Sequence, residues 1–298
     1  MTVPTLILLG MIAFGISCEW LWSQWTHRAV YSAKEVLANL GVLLGGQLLK
    51  PITLAWKLLV LSLVEPLQWF QLPLNAGTIL LTFMAVEFAY YWYHRFSHEI
   101  PFLWAIHHAH HSSTHMNLTT AVRLNWMGGF VSIPFFMPLV LLGLSPNMIV
   151  TALALNLLFQ FFLHTEAIGK LGKLEGALIN TPAAHRVHHG TNPAYIDKNY
   201  GGVLIIFDRL FGTWEPEQEQ VRYGVTTGPV RSNPFVIVFA PMRQWLRGAF
   251  FREKHTGRPG SSHGRVSASA NRNLADGMTL VSAAEHVEQE MKTCGVCE

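Results

Sequence analysis

The chain has 298 residues, half of them apolar and only 13% charged, with a formal net charge of +3 and a positive mean hydropathy. That balance excludes an ordinary soluble domain and points to several membrane segments, while so small a basic excess, without a long basic run, excludes nucleic acid as a partner. Three cysteines, Cys18, Cys294 and Cys297, are too few to staple a secreted fold, and the last two have zinc-knuckle spacing without a second ligand pair.

From Val3 to about Trp25 the chain is apolar and ends in Trp20, Trp22 and Trp25, the pattern of a spanning helix closed by an aromatic belt. It has neither a basic leader nor a small-residue cleavage motif, so it is expected to stay as an anchor rather than be removed as a signal peptide. Arg28 and Lys34 mark a polar loop. Val36 to Leu49 and Ile52 to Phe70 follow as an apolar stretch interrupted by Lys50 and Pro51, which predicts a half-span or interfacial helix before the break. Asn75 and Gly77 punctuate, and Thr78 to Tyr93 predicts a further apolar helix whose Tyr90, Tyr91, Trp92 and Tyr93 suit a belt or core packing better than catalysis.

Trp126 to Leu142 and Met148 to Leu163 are apolar segments separated only by Gly143, Leu144, Ser145, Pro146 and Asn147. At about 1.5 Å per residue each covers roughly 25 Å, and so short a turn joins antiparallel neighbours as a helical hairpin. The histidines before the hairpin, from 94 to 115, then lie on the same side of the membrane as those after it, from 164 to 189. Arg95, Arg123, Lys170, Lys173, Arg186, Lys198 and Arg209 share that side and the hairpin turn has no basic residue, so the positive-inside rule makes it cytoplasmic. Gly201 to Trp214 is a short apolar stretch suited to pack under the site or against the membrane, with Asp208 and Arg209 expected to form a structural pair or meet headgroups. The expected fold is all-α, a multi-pass membrane helical bundle with a cytoplasmic-side histidine-rich di-metal cap. Its parts are N-terminal membrane helices over 1–75, a catalytic domain over 76–217, a C-terminal extension over 218–254 and a disordered, solvent-exposed tail over 255–298.

Eleven of the fifteen histidines fall between Tyr93 and Gly190. Three clusters stand out: His94 with His98, His107 with His110 and His111, and His185 with His188 and His189. They read HxxxH, HxxHH and HxxHH, and on a helix residues three and four apart share a face, so each cluster can aim two or three imidazoles at one point. These eight exceed what one tetrahedral zinc uses and suit a pair of first-row metals with open positions. Imidazole alone does not choose iron. Iron is favoured because oxidation of unactivated C–H bonds from a lipid-facing pocket needs a redox-active ion. His164, returned by the hairpin, is a ninth candidate as ligand or as orienter of a ligand. His108 and His115 are expected beside the site or on the surface, Glu99 and Glu166 to orient histidines or lie at the surface, and His27, His255, His263 and His286 have no assigned role.

The three clusters, together with HHSSTHMNLTTAVR, the run from Phe161 to Gly202 and LIIFDRLFGTWEPE, resemble the fatty acid hydroxylase, or sterol desaturase, superfamily of integral-membrane di-iron oxygenases. The resemblance covers roughly Phe83 to Glu217 and is most like the alkylglycerol monooxygenase branch. It implies two iron ions, O2 as co-substrate, and hydroxylation or desaturation of a membrane lipid, with fatty acyl, ether-lipid, aminolipid and sterol-like substrates all open. Two electrons would come from a separate electron-donor protein or a small reductant. The branch is known for tetrahydrobiopterin, but no residues here read as a pterin site. The tail lacks a dilysine signal, which favours a bacterial inner membrane; the oligomeric state is not indicated.

Two other classes predict different placements. A membrane haem protein in electron transfer needs single histidines within its spans. A metal transport or storage protein needs polar groups near mid-membrane, for which Glu19, Lys57, Glu65, Glu87, Asn156 and Gln160 are the available scatter.

Overall fold

The computed structural model describes residues 3–228 and 230–248, with side chains from residue 6 onward. The expected tail, with His255, His263, His286, Cys294 and Cys297, lies outside the described residues. Helices dominate. Among the described residues no strand forms, and only the isolated antiparallel bridges Ile179 to Leu204 and Gly190 to Tyr223 pair extended backbone.

Helix α1, Val3–Trp25, is long enough at about 1.5 Å per residue to cross a bilayer core, and its Leu6, Ile7, Phe14 and Leu21 are exposed. Helix α2, Ala33–Val64, shows the same outward apolar surface through Leu44, Leu48 and Leu63. These two helices are long and apolar enough to cross a membrane. The break expected at Lys50 and Pro51 is absent, for α2 runs through Pro51 as one helix of 32 residues. Proline removes only one backbone donor, and Thr53 Oγ1 donates to the Lys50 carbonyl at 3.0 Å beside it.

Helix α3, Ala76–Glu99, starts at Asn75, whose side chain accepts from Thr78 N at 3.0 Å, and continues past the aromatic run through His94 and His98. Pro101 ends it by holding Ile100 extended, and the same proline opens α4, Pro101–His111, so α4 folds back along α3. The expected Trp126 to Leu142 arm is not one helix. Pro134 and Pro138 each begin a new short turn, which leaves α5 at Gly128–Val131, a 3-10 turn at Ile133–Phe135 and α6 at Met137–Leu141. Gly143, at φ 93°, makes the turn into α7, Pro146–Phe161, where the second arm is helical as expected. Three shorter helices complete the fold: α8 at Pro182–His188, α9 at Ile206–Leu210 and α10 at Pro234–Leu246.

The main apolar core joins α2, α3, α6 and α7 through Leu61, Val86, Tyr90, Phe136, Val140 and Leu153. A second cluster, Ala38, Val42, Ala109, Ile237 and Val238, clamps α10 and the start of α2 against α4. Tyr91, Tyr200, Leu204 and Phe207 form a third, so the Gly201 to Trp214 stretch packs on α3 beside the histidines. Tyr90 and Tyr91 are therefore core residues.

Candidate metal centre

Nine histidines converge from α3, α4, α8 and the turn after α7, in two adjoining groups. His94, His98, His107, His111 and His188 form one; His110, His164, His185 and His189 form the other; within each, one nitrogen from every ring lies within 4.8 Å of the rest. The groups meet where the His111 and His189 rings stack at 4.3 Å. The second and third clusters are each divided between the groups, which the linear pattern did not disclose.

The closest approaches are between Nε2 atoms. His107 lies 3.1 Å from both His94 and His111, and His164 lies 3.2 Å from His110 and 3.0 Å from His185. His188 Nε2 and His189 Nε2 are buried without a hydrogen-bond partner, as metal-seeking lone pairs are. The donor set fits two metal ions.

Backbone carbonyls fix the tautomers. His94 Nδ1 donates to Tyr200 O at 2.7 Å, His164 Nδ1 to Gln160 O at 2.7 Å and His188 Nδ1 to Lys198 O at 3.0 Å, which turns each Nε2 lone pair inward. Burial lowers the pKa of His94 and His164 to about 4. Burial, and then the repulsion between neighbouring imidazolium rings, holds His107, His110, His111, His185, His188 and His189 well below the ordinary value. At neutral pH these eight imidazoles are neutral.

The remaining candidates sit around the two groups. His108 is buried against Trp104, with Nε2 3.3 Å from Thr227 Oγ1, and belongs to neither group. Glu99 pairs with Arg95 at 2.8 Å, and Glu166 carries a carboxyl raised by burial beside Tyr223. Asp208 does not pair with Arg209. It is fully buried and accepts from Tyr200 N, Gly201 N and Thr213 Oγ1, each at 2.7 Å, while Arg209 lies over the Trp214 ring. Two of the basic residues counted toward the cytoplasmic face are also internal: Arg123 pairs with Glu35, and Arg186 with Glu217, each at 2.8 Å.

Sequence reasoning missed the polar ties that brace the centre. Glu19, buried in α1, accepts from Tyr31 hydroxyl at 2.6 Å and Leu118 N at 2.8 Å, and from Thr165, the residue after His164. Arg123 also donates to Asn39 at 3.1 Å and to Ser112 Oγ at 3.0 Å, at the end of α4. Their signal was a carboxylate inside an apolar helix, which requires a partner. Glu19 and Glu87 are thus engaged in fixed hydrogen bonds rather than strung along a transport path.

The fold and site define a class, an all-helical scaffold with two membrane-length helices that gathers buried imidazoles in two adjoining groups. Residues 79–213 match the fatty acid hydroxylase family model. Alkylglycerol monooxygenase of Danio rerio is 51% identical over 152 residues, 51% of this chain and 34% of that protein. The Homo sapiens alkylglycerol monooxygenase is 48% identical over 163 residues, 54% of this chain and 36% of that protein. An ornithine lipid hydroxylase of Rhizobium tropici is 29% identical over 154 residues, 51% of this chain and 46% of that protein. The chain thus spans about a third of the length of the alkylglycerol monooxygenases it matches. No solved structure matches it.

Proposed function

We propose that this chain is an integral-membrane non-haem di-iron oxygenase that hydroxylates a lipid with O2, with residues 76–217 as its catalytic domain. The observation that carries the reading is the convergence of nine histidines, eight of them buried, into two metal-sized groups. His94, His98, His107, His111 and His188 would hold one iron, and His110, His164, His185 and His189 the other. Two irons held there would supply the redox chemistry by which O2 oxidises a C–H bond, one oxygen atom entering the lipid as a hydroxyl and the other leaving as water, with two electrons and two protons taken up.

The chain's own residues set the conditions. The carbonyls of Tyr200, Gln160 and Lys198 keep three imidazoles in the ligating tautomer. Burial keeps the rings unprotonated and limits water near the reacting carbon. The relatives named as hydroxylases of ornithine lipid and as alkylglycerol monooxygenases support a lipid substrate, taken from the fatty acyl, ether-lipid, aminolipid or sterol-like classes. Electrons come from a separate donor protein or a small reductant. The chain is multi-pass, with the histidines at the cytoplasmic edge of a bacterial inner membrane, where a lipid reaches the site from the bilayer and electrons arrive from water.

Purified protein should contain about two irons per chain and consume O2 when given reductant and membrane lipid. Mass spectrometry of lipid extracts from cells with and without the gene should show one lipid class heavier by about 16 mass units. A loss of about 2 mass units would make the enzyme a desaturase, and active protein without iron would overturn the reading.

A further inference from the structure

Glu87 sits in the apolar part of α3, fully buried, with both carboxylate oxygens engaged. Asn156 Nδ2 donates to one oxygen at 2.5 Å, and the backbone N–H groups of Val203 and Leu204 donate to the other at 2.8 and 2.9 Å. Asn156 Oδ1 accepts from Gln160 Nε2 at 2.6 Å, and Gln160 Oε1 accepts from the Tyr90 hydroxyl at 2.9 Å. Both Glu87 oxygens accept, each amide of the chain donates toward it and Tyr90 donates at the far end.

The network ends on one residue that orients a histidine, Gln160, and on Val203 and Leu204, three and four residues after a second, Tyr200, whose N–H is held by Asp208. Gln160 presents the carbonyl that takes the His164 Nδ1 proton, and Tyr200, in the loop that Val203 and Leu204 close, presents the carbonyl that takes the His94 Nδ1 proton. His94 belongs to one histidine group and His164 to the other. The loop also presses on the network, because a Cβ at Gly202 would lie 2.1 Å from Asn156 Nδ2. Asn156 is fully buried and bonded at both ends, so it has nowhere to yield.

We propose that Glu87 is a positioning residue shared by both histidine groups, holding the Tyr200 and Gln160 carbonyls that orient His94 and His164. The inference rests on the metal reading above. Glu87 bonds neither histidine and acts through the carbonyls, which explains a carboxylate in the apolar part of α3.

Full-length protein loaded with ferrous iron tests this with Glu87→Leu, Glu87→Gln and Gly202→Ala. Three quantities are read: iron per chain, the rate at which a ferrous chelator strips it, and the thermal midpoint of the iron-free protein. Glu87→Leu leaves Asn156 and two backbone donors unpaired, and Gly202→Ala displaces Asn156 without altering Glu87. Both should release iron from both groups about 10- to 100-fold faster, the range for lost ligand orientation. Glu87→Gln should fall between them and the wild type, because the amide chain can reverse its direction. Folded variants that release iron at the wild-type rate overturn the proposal, as does faster release wholly matched by a lowered midpoint of the iron-free protein. Where Glu87→Leu fails to fold, Gly202→Ala and Glu87→Gln decide by the same criteria. A wild type that binds no iron overturns the metal reading and this proposal together, whereas a two-iron wild type with unchanged variants overturns this proposal alone.

Discussion

The five-histidine and four-histidine groups are assembled by different local rules from the same motifs. The first takes two pairs spaced by four, His94 with His98 on α3 and His107 with His111 on α4, and adds His188. The second takes one such pair, His185 with His189, and adds His110 and His164 singly. The cause is helical phase. At about 100° per residue, positions four apart nearly coincide while adjacent positions diverge by about 100°. In an HxxHH motif the outer two histidines therefore share a target and the middle one faces elsewhere: His110 leaves His107 and His111, and His188 leaves His185 and His189. One motif serves two sites.

That asymmetry predicts the largest effects. His164→Ala leaves the smaller group with three imidazoles, whereas His98→Ala leaves the larger group with four. Iron per chain should fall toward one in His164→Ala, with turnover reduced by at least about 100-fold, since even loss of an orienting partner reaches that range. His98→Ala should keep more of its iron. Metal analysis of the two purified variants checks this, and equal losses would break the distinction between the groups.

Arg123 separates what the groups share from what divides them. Its guanidinium is fully buried, paired with Glu35 at 2.8 Å and bonded to Ser112 and to the Ala109 carbonyl at the end of α4, the helix that serves both groups. Arg123→Leu strands Glu35 and should destabilise the protein by about 3–5 kcal/mol; adding Glu35→Leu should restore much of this. Chemical unfolding in detergent measures both. Iron should be lost evenly from the two groups, because α4 loosens as a whole.

Local chemistry was readable where one residue decides an outcome. Asn75, read as a break, caps α3, and the turn at Gly143 returns His164 to the other histidines, whereas the openings of α4 and α8 at Pro101 and Pro182 were not read. Apolar composition misled where hydrogen bonding decides. Pro134 and Pro138 fragment the first hairpin arm, while Pro51 does not interrupt α2. The division of the motifs was implicit in helical phase but needed the crossing of α3, α4 and α8 to become visible. Ties such as Glu35 to Arg123, 88 residues apart, have no local signature at all.

Acid should expose the neutral state of both groups. With His94 and His164 at about 4 when folded against an ordinary 6.5, the unfolded iron-free chain binds protons that the folded chain refuses between those values. Stability is therefore full above about pH 6.5 and falls as pH drops toward 4, by about 1.4 kcal/mol per pH unit for each such histidine. Thermal midpoints of iron-free protein across that window should decline together with pH, and a flat profile would contradict buried neutral rings.

The smallest effect discriminates most finely between the groups. Thr181 caps α8 by accepting from Ala184 N at 3.1 Å, and α8 with its C-terminal cap residue His189 contributes one ligand candidate to the larger group but two to the smaller. Thr181→Ala should cost about 1 kcal/mol, measurable as a modest fall in thermal midpoint. Because half of the smaller group rides on α8, its iron should be stripped a few-fold faster while the other is released nearly as in the wild type. Equal acceleration of both would mean that His188, the single contribution of α8 to the larger group, holds that site together as strongly as its two spaced pairs do.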